Sequence, residues 1–190
     1  MRELVYYIAT SLDGYIASPD GAFDAFLMEG DHMEELIRRY SDTIPTHVAE
    51  RFGIEPAGDV FSTVVMGWNT YAVGLEEGVT SPYRHLEQVV FSRGHEGEGE
   101  RLTVTDEPPV DVVRRLKREE GAGIWLCGGG NLATQLIDEI DRLVLKCNPV
   151  LFGAGIPLFD RGRYAPGLFD LVRSTAFESG VVVSEYARRA

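Results

Sequence analysis

The residue order predicts an α/β domain with a mostly parallel mixed sheet, an antiparallel C-terminal strand and helices on both faces. Three observations carry this. Strand-like apolar runs alternate with helix-spaced runs until about residue 140, strand-like runs then follow one another directly, and no repeat, low-complexity tract or linker breaks the 190 residues. Alternation implies parallel strands joined by crossover helices, and a terminal series of strands adds antiparallel pairing at an edge. The length fits a single domain, 1–190.

Residues 3–10, ELVYYIAT, are apolar, β-branched and aromatic and run into the turn-prone SLDG, so they predict a buried strand. In DHMEELIRRYS, Met33, Leu36, Ile37 and Tyr40 share one face of a helix. STVVMG is a strand ending in glycine, and NTYAVGL is a short helix starting near Asn69 or Thr70. The strands LEQVVFS and LTVT come next. Pro108-Pro109 then introduces the helix VDVVRRLKREE, as suits a residue with no N–H to leave unpaired. GIWLC is a strand, NLATQLIDE a helix and DRLVLKCNPVLF a long strand. The C-terminal LFDLVRSTAFESGVVVSEYARR reads as two strands turning at Glu178 to Gly180, while RFGIEPAGD and GHEGEGE read as surface loops.

Composition narrows the function. Hydrophobic residues make up 44% and charged residues 25%, enough for a sizeable core. A net charge of −12 argues against a nucleic-acid partner, which would call for a basic patch. The basic run RRLKR reads as the polar face of a helix. Nothing approaches 18 uninterrupted apolar residues, and the N-terminus has no signal-peptide pattern, so no membrane association is expected. Cys127 and Cys147 lie in apolar runs, as buried thiols do in a reducing compartment. A cytoplasmic location follows. The four histidines and two cysteines lack metal-ligand spacing, so no metal is expected.

Three strand ends carry chemistry-bearing signals: Gly67-Trp68-Asn69-Thr70, Ser92-Arg93, and Cys127-Gly128-Gly129-Gly130-Asn131-Leu132. Open α/β sheets bind ligands beyond the carboxyl ends of their strands. Helix N-termini there offer free N–H groups to phosphate, and arginine grips phosphate with its planar fork. A triple glycine lacks the spacing of the common dinucleotide fingerprint, so close strand–helix packing explains it equally well.

The motifs IATSLDGYIA, VVMGWNTY, VVFSR, WLCGGGNLATQLI and LVLKCNPVLFGAGIPLF occur here in the order seen in the dihydrofolate reductase-like superfamily. Within it the chain most resembles the C-terminal reductase domain of the riboflavin-biosynthesis protein RibD. The resemblance covers nearly the whole chain and is poorest from about Asp31 to Asp59. It implies a mixed sheet of about eight strands, NADPH as hydride donor, a homodimer, and a cis peptide between Gly128 and Gly129. It further implies that Gly128 to Leu132 and Gly67 to Thr70 meet the pyrophosphate from opposite sides, with Cys127 just before the glycines. Ser92 and Arg93 then belong near the adenosine and its 2′-phosphate, Ala9 against the nicotinamide amide, and Asp13-Gly14 in the loop covering the nicotinamide. Asp13 is the catalytic candidate on this reading.

Two departures bear on the substrate. Where the riboflavin reductases carry a lysine in the first strand this chain has Tyr7, and where they tend to carry a glutamate before the glycines it has Cys127. Asp24, Glu29, Asp31 and Glu34 are the nearby acids, and Tyr7 and Asp31 the substrate-side candidates. The implied reaction is hydride transfer to a small pyrimidine-like substrate, by default 5-amino-6-(5-phosphoribosylamino)uracil. The alternatives are a reductase of a pterin, folate or other heterocycle, and a nucleotide-binding module without catalysis. Restoring lysine and glutamate at positions 7 and 127 is expected to raise activity on the riboflavin intermediate.

Overall fold

The strand β1 (Leu4–Thr10) lies inside the sheet, hydrogen bonded in parallel to β6 (Gly123–Gly128) on one side and to β7 (Arg142–Cys147) on the other. The structure, a computed structural model, describes residues 1–162 and 164–189. Outward from β6 come β3 (Phe61–Gly67), β4 (Glu87–Phe91) and β5 (Leu102–Thr105), all parallel. Outward from β7 come β10 (Val182–Arg188), antiparallel to β7, and β9 (Phe169–Ala176), antiparallel to β10. The eight strands run in the order β5-β4-β3-β6-β1-β7-β10-β9. Two further short strands, β2 (Tyr15–Ala17) and β8 (Ile156–Pro157), form a separate antiparallel pair.

Side chains alternate across β1, and each face builds a core. Val5 packs with Val64, Met66, Trp125 and Val144 beneath Leu36 and Tyr40 of α1 (Asp31–Tyr40), with Tyr71 of α3 (Trp68–Glu76) completing the cluster. Leu4 and Tyr6 pack with Val65, Ile124 and Leu126. That face is covered by Val112 and Val113 of α4 (Pro109–Leu116) and by Leu132, Ala133 and Leu136 from and just beyond α5 (Gly130–Gln135). The mixed sheet with helices on both faces is the architecture the alternation predicts.

Some boundaries differ from the sequence reading. A helix α2 (Thr46–Phe52) fills part of a segment with no strong periodicity, and the chain leaves it through Gly53 in the left-handed region (φ 64°). The buried Asp42 fastens the following loop, its carboxylate accepting from the N–H groups of Gly58, Val60 and Phe61 at 2.6–3.1 Å. The strand expected over 141–152 ends at Cys147, where Asn148-Pro149 follows; proline has no N–H for the ladder. Of the two C-terminal strands, β10 is paired on both sides and is not the edge. The edge is β9, on which Leu171 and Val172 are exposed.

Candidate active site

The carboxyl ends of β1, β3, β4, β6 and β7 open into one cavity of about 1070 Å³. Its floor is formed where β3 passes into α3 and β6 into α5, so Gly67, Trp68, Asn69 and Thr70 meet Cys127, Gly128, Gly129, Gly130, Asn131 and Leu132. The two turns adjoin: a Cβ built on Gly128 would stand 3.8 Å from Thr70 Oγ1. Ser92 and Arg93 line the cavity beyond the end of β4, and Ala9 lines it from β1. The three strand ends singled out in the sequence therefore converge on one space.

The glycines divide by role. A Cβ on Gly67 meets nothing within 4 Å, and one on Gly129 meets only Ile16 Cδ1 at 3.9 Å and Thr70 Oγ1 at 4.0 Å. Both positions thus leave room on the cavity side. Gly128 holds φ at +133°, which other residues resist, and its peptide bond to Gly129 is cis. Gly130 is different, because a methyl there would come within 2.2 Å of the carbonyl oxygen of Pro157. Close packing explains the third glycine, and open space marks the second. No side chain caps the first turn of α3 or of α5, so their leading N–H groups are left for something else.

At the β4 end the Trp68 ring stacks on His95, with centroids 4.3 Å apart and planes 7° apart. Ser92 Oγ accepts from the N–H of His95 at 2.9 Å. This holds the 92–95 turn against α3 while the exposed Arg93 forms no ion pair with the described residues. At the opposite end, residues 16–28 arch over the cavity with Ile16, Phe23, Phe26 and Met28 facing it. That arch is pinned by Phe26 stacked on Phe152 (5.1 Å) and by Leu27 N–H donating to Asn148 Oδ1 (3.0 Å).

Four residues singled out from the sequence lie elsewhere. The exposed Asp13 carboxylate accepts from Ser11 Oγ (2.6 Å) and from the N–H groups of Phe152 (3.1 Å) and Gly153 (2.7 Å). These bonds, the serine's foremost, hold its pKa down at about 2. It is a loop staple outside the cavity lining, so the structure does not bring this catalytic candidate into the site. Gly14 is also outside the lining; its carbonyl accepts from Leu158 N–H at 2.9 Å. Asp31 accepts from the N–H groups of Glu178 (2.6 Å) and Ser179 (3.1 Å), tying α1 to the β9–β10 turn rather than meeting a substrate. Tyr7 stacks on Tyr40 (4.8 Å, 22°) beside Trp125, and burial holds its phenol protonated far above the ordinary range. It is partly buried, packed against the core outside the cavity lining.

Cys127 does reach the cavity, and burial pushes its thiol up to about 12, so it is neutral beside Tyr83. Sequence reasoning passed over Lys146 and His47. Lys146 follows the inward alternation of β7 and stands opposite Ala9, a register visible only once β1 and β7 are paired. His47 lies on the unforeseen α2, and its Nδ1 is buried with no hydrogen-bond partner among the described residues. Among the described residues no group of three His, Cys, Asp or Glu side chains could hold a metal ion, and no helix is long and apolar enough to cross a membrane.

The family model for the RibD C-terminal domain matches residues 2–183. An uncharacterized Bacillus subtilis protein, YwjB, is 34% identical over 164 residues, covering 83% of each chain. A protein of Shewanella sp. PV-4, provisionally assigned to riboflavin biosynthesis, superposes with a TM-score of 0.73 at 23% identity over 100% of both chains. Dihydrofolate reductase from Enterococcus faecalis, solved with NADP(H), superposes with a TM-score of 0.63 at 15% identity, over 99% of this chain and 97% of that one. The likeness to the two solved structures is one of fold.

Proposed function

The chain belongs to the RibD C-terminal domain family, and on that premise we propose that it is an NADPH-dependent reductase acting on a small, flat, pyrimidine-like ring. The observation that carries this reading is the convergence of the Gly67–Thr70 turn, the Cys127–Leu132 turn and Ser92-Arg93 on one cavity. About 1070 Å³ exceeds the usual single-ligand pocket and suits a dinucleotide with a second small molecule.

The residues present fit the cofactor. Glycines 67 and 129 leave the space a side chain would fill, next to two helix starts with uncapped N–H groups. Arg93, with no acid partner among the described residues, is the group for a 2′-phosphate, and the backbone of Ala9 for the nicotinamide amide. NADPH supplies a hydride when bound; the chain's part is binding, orientation and exclusion of water. The glycine turn and α3 fix the phosphates, while the arch of Phe23, Phe26 and Met28 closes the apolar end.

The default substrate is the family's 5-amino-6-(5-phosphoribosylamino)uracil. A second reading, a pterin, folate or other flat heterocycle, is favoured by the neutral Cys127 and by Tyr7 lying stacked on Tyr40 outside the cavity lining. A nucleotide-binding module without catalysis is the remaining alternative. Titration with NADPH and NADH, followed by nicotinamide absorbance with the uracil intermediate and with dihydrofolate, tests all three. Binding with turnover of one ring system supports the reductase and identifies it, binding without turnover supports the module, and no binding of either nucleotide removes the reading. We also infer a cytoplasmic homodimer, from the two free cysteines and from the exposed Leu171 and Val172 on the β9 edge. Light scattering should then give twice the chain's 21.0 kDa.

A further inference from the structure

We propose that Lys146 is the substrate-recognition residue of this site, and that the ring it selects presents an anionic or strongly accepting edge beside the nicotinamide position. The proposal deepens the reductase reading and rests on it for the placement of the nicotinamide at Ala9.

Lys146 stands opposite Ala9 in the parallel ladder of β1 and β7, half-buried, at the inner end of the cavity. Among the described residues no acid pairs with its ammonium and no hydrogen bond satisfies it. The acids that line the cavity belong to other elements: Glu77 ends α3, while Asp106 and Glu107 follow β5. From β7 to β4 the sheet takes four inter-strand steps, roughly 19 Å at about 4.8 Å each. Lys146 and Arg93 are therefore cations at opposite ends of one cleft, too far apart to serve the same phosphate. Burial alone lowers the pKa of Lys146, with no neighbouring charge offsetting it.

A lysine kept without a counter-ion in an apolar setting is costly to folding unless something in the working protein pairs with it. The cavity it shares has many apolar or neutral wall residues, Phe26, Val48, Pro82, Tyr83 and the un-ionised Cys127 among them. A flat ring slides against such walls, and a single ammonium offers three donors to one oxo, enolate or ring-nitrogen edge. His47, whose Nδ1 lacks any partner among the described residues, is the other polar group facing the same space from α2. The site thus selects by one charge and by flatness.

The test uses 5-nitrouracil, a flat pyrimidine that is anionic at neutral pH, against neutral thymine of similar shape. Binding is measured by calorimetry with and without NADP⁺, for wild type, Lys146→Met and Lys146→Arg. Wild type should bind 5-nitrouracil more tightly than thymine. Lys146→Met should weaken 5-nitrouracil at least tenfold, leave thymine and NADPH affinity within about twofold, and raise the melting temperature, because a half-buried unpaired charge is gone. Lys146→Arg should recover most of the 5-nitrouracil affinity. Unchanged 5-nitrouracil affinity in Lys146→Met, equal affinity of wild type for both rings, or binding of neither, overturns the proposal while leaving NADPH binding and the reductase reading standing. Lys146-dependent binding of 5-nitrouracil by a protein that binds no NADPH has the opposite meaning: the anion site stands and the reductase reading falls.

Discussion

The Cα of Gly130 sits so close to Pro157 that a methyl group on it would lie 2.2 Å from that residue's carbonyl oxygen. The neighbouring Gly129, one residue earlier, has no such obstacle. Consecutive glycines in one turn therefore answer to different demands. One lets β8 approach the start of α5, and the other leaves space above the turn.

Alanine separates these demands. Gly130→Ala should destabilise the fold by about 1–3 kcal/mol, the usual cost of overpacking, read as a lower urea midpoint. Gly129→Ala should fold with near wild-type stability but bind NADPH about tenfold more weakly, about 1.4 kcal/mol, because its methyl points into the cavity. Equal NADPH affinity in Gly129→Ala would show that the turn only packs.

Arg93→Ala should lose NADPH affinity by at least about tenfold while NADH affinity stays the same. A hydrogen bond to a charged group contributes about 1.5–3 kcal/mol, and NADH offers no 2′-phosphate to accept it. Fluorescence titration of both nucleotides decides the matter, with Trp68 as a reporter at the cavity wall. Parallel losses for the two cofactors would take Arg93 away from the 2′-phosphate.

Asp13 predicts an acid-side effect on stability with no counterpart in catalysis. Its folded pKa of about 2 lies below the ordinary carboxylate value, with Ser11 Oγ and the N–H groups of Phe152 and Gly153 as donors. A depressed carboxylate contributes stability above its unfolded pKa, about 3.9, and that contribution is lost as pH falls toward the folded value. Asp13→Asn should flatten the pH dependence of the urea midpoint between about pH 4 and 2. It should also raise amide exchange at Phe152 and Gly153, and leave the pH profile of turnover near neutrality unchanged. A lost acidic or basic limb in that profile would restore Asp13 as a proton-handling group.

The strand order was legible only in part from the chain. Alternating apolar runs such as ELVYYIAT and STVVMG fix parallel strands because burial on both faces leaves few polar positions, and Gly67 and Gly128 mark where those strands hand over to helices. Thirteen of the fourteen residues expected to meet the cofactor line the cavity, Gly14 being the exception, since strand ends are local features. The substrate side is not local. Lys146 faces the cavity because β7 pairs with β1 at a particular register, and His47 because α2 folds over the sheet, and neither relation has a short-range signature. Asp13 and Asp31 look like site acids in the sequence because a carboxylate binding backbone N–H groups at a turn has the same residue type and neighbours as one in a site.

The fate of Tyr7 reverses an expectation drawn from family resemblance. Lysine at position 7 with glutamate at position 127 would copy the riboflavin reductases, and from the sequence that exchange should raise activity on their intermediate. In the fold, the Tyr7 ring lies stacked on Tyr40 next to Trp125, whose Nε1–H donates to the Tyr7 carbonyl at 3.0 Å. A lysine there loses the stack and carries an ammonium among the aromatic rings of Tyr40 and Trp125. Breaking the pairing of a buried charge costs about 3–5 kcal/mol, and a lysine introduced without a partner meets a penalty of the same kind. Glutamate at position 127 in turn replaces a neutral, partly buried thiol beside Tyr83. Tyr7→Lys with Cys127→Glu should therefore lower the urea midpoint substantially and give no gain in turnover of the uracil intermediate, whereas Cys127→Glu alone should fold. Paired unfolding and steady-state measurements check both parts. A stable, more active double variant would mean that position 7 opens to the substrate, and that the recognition role assigned to Lys146 is shared with it.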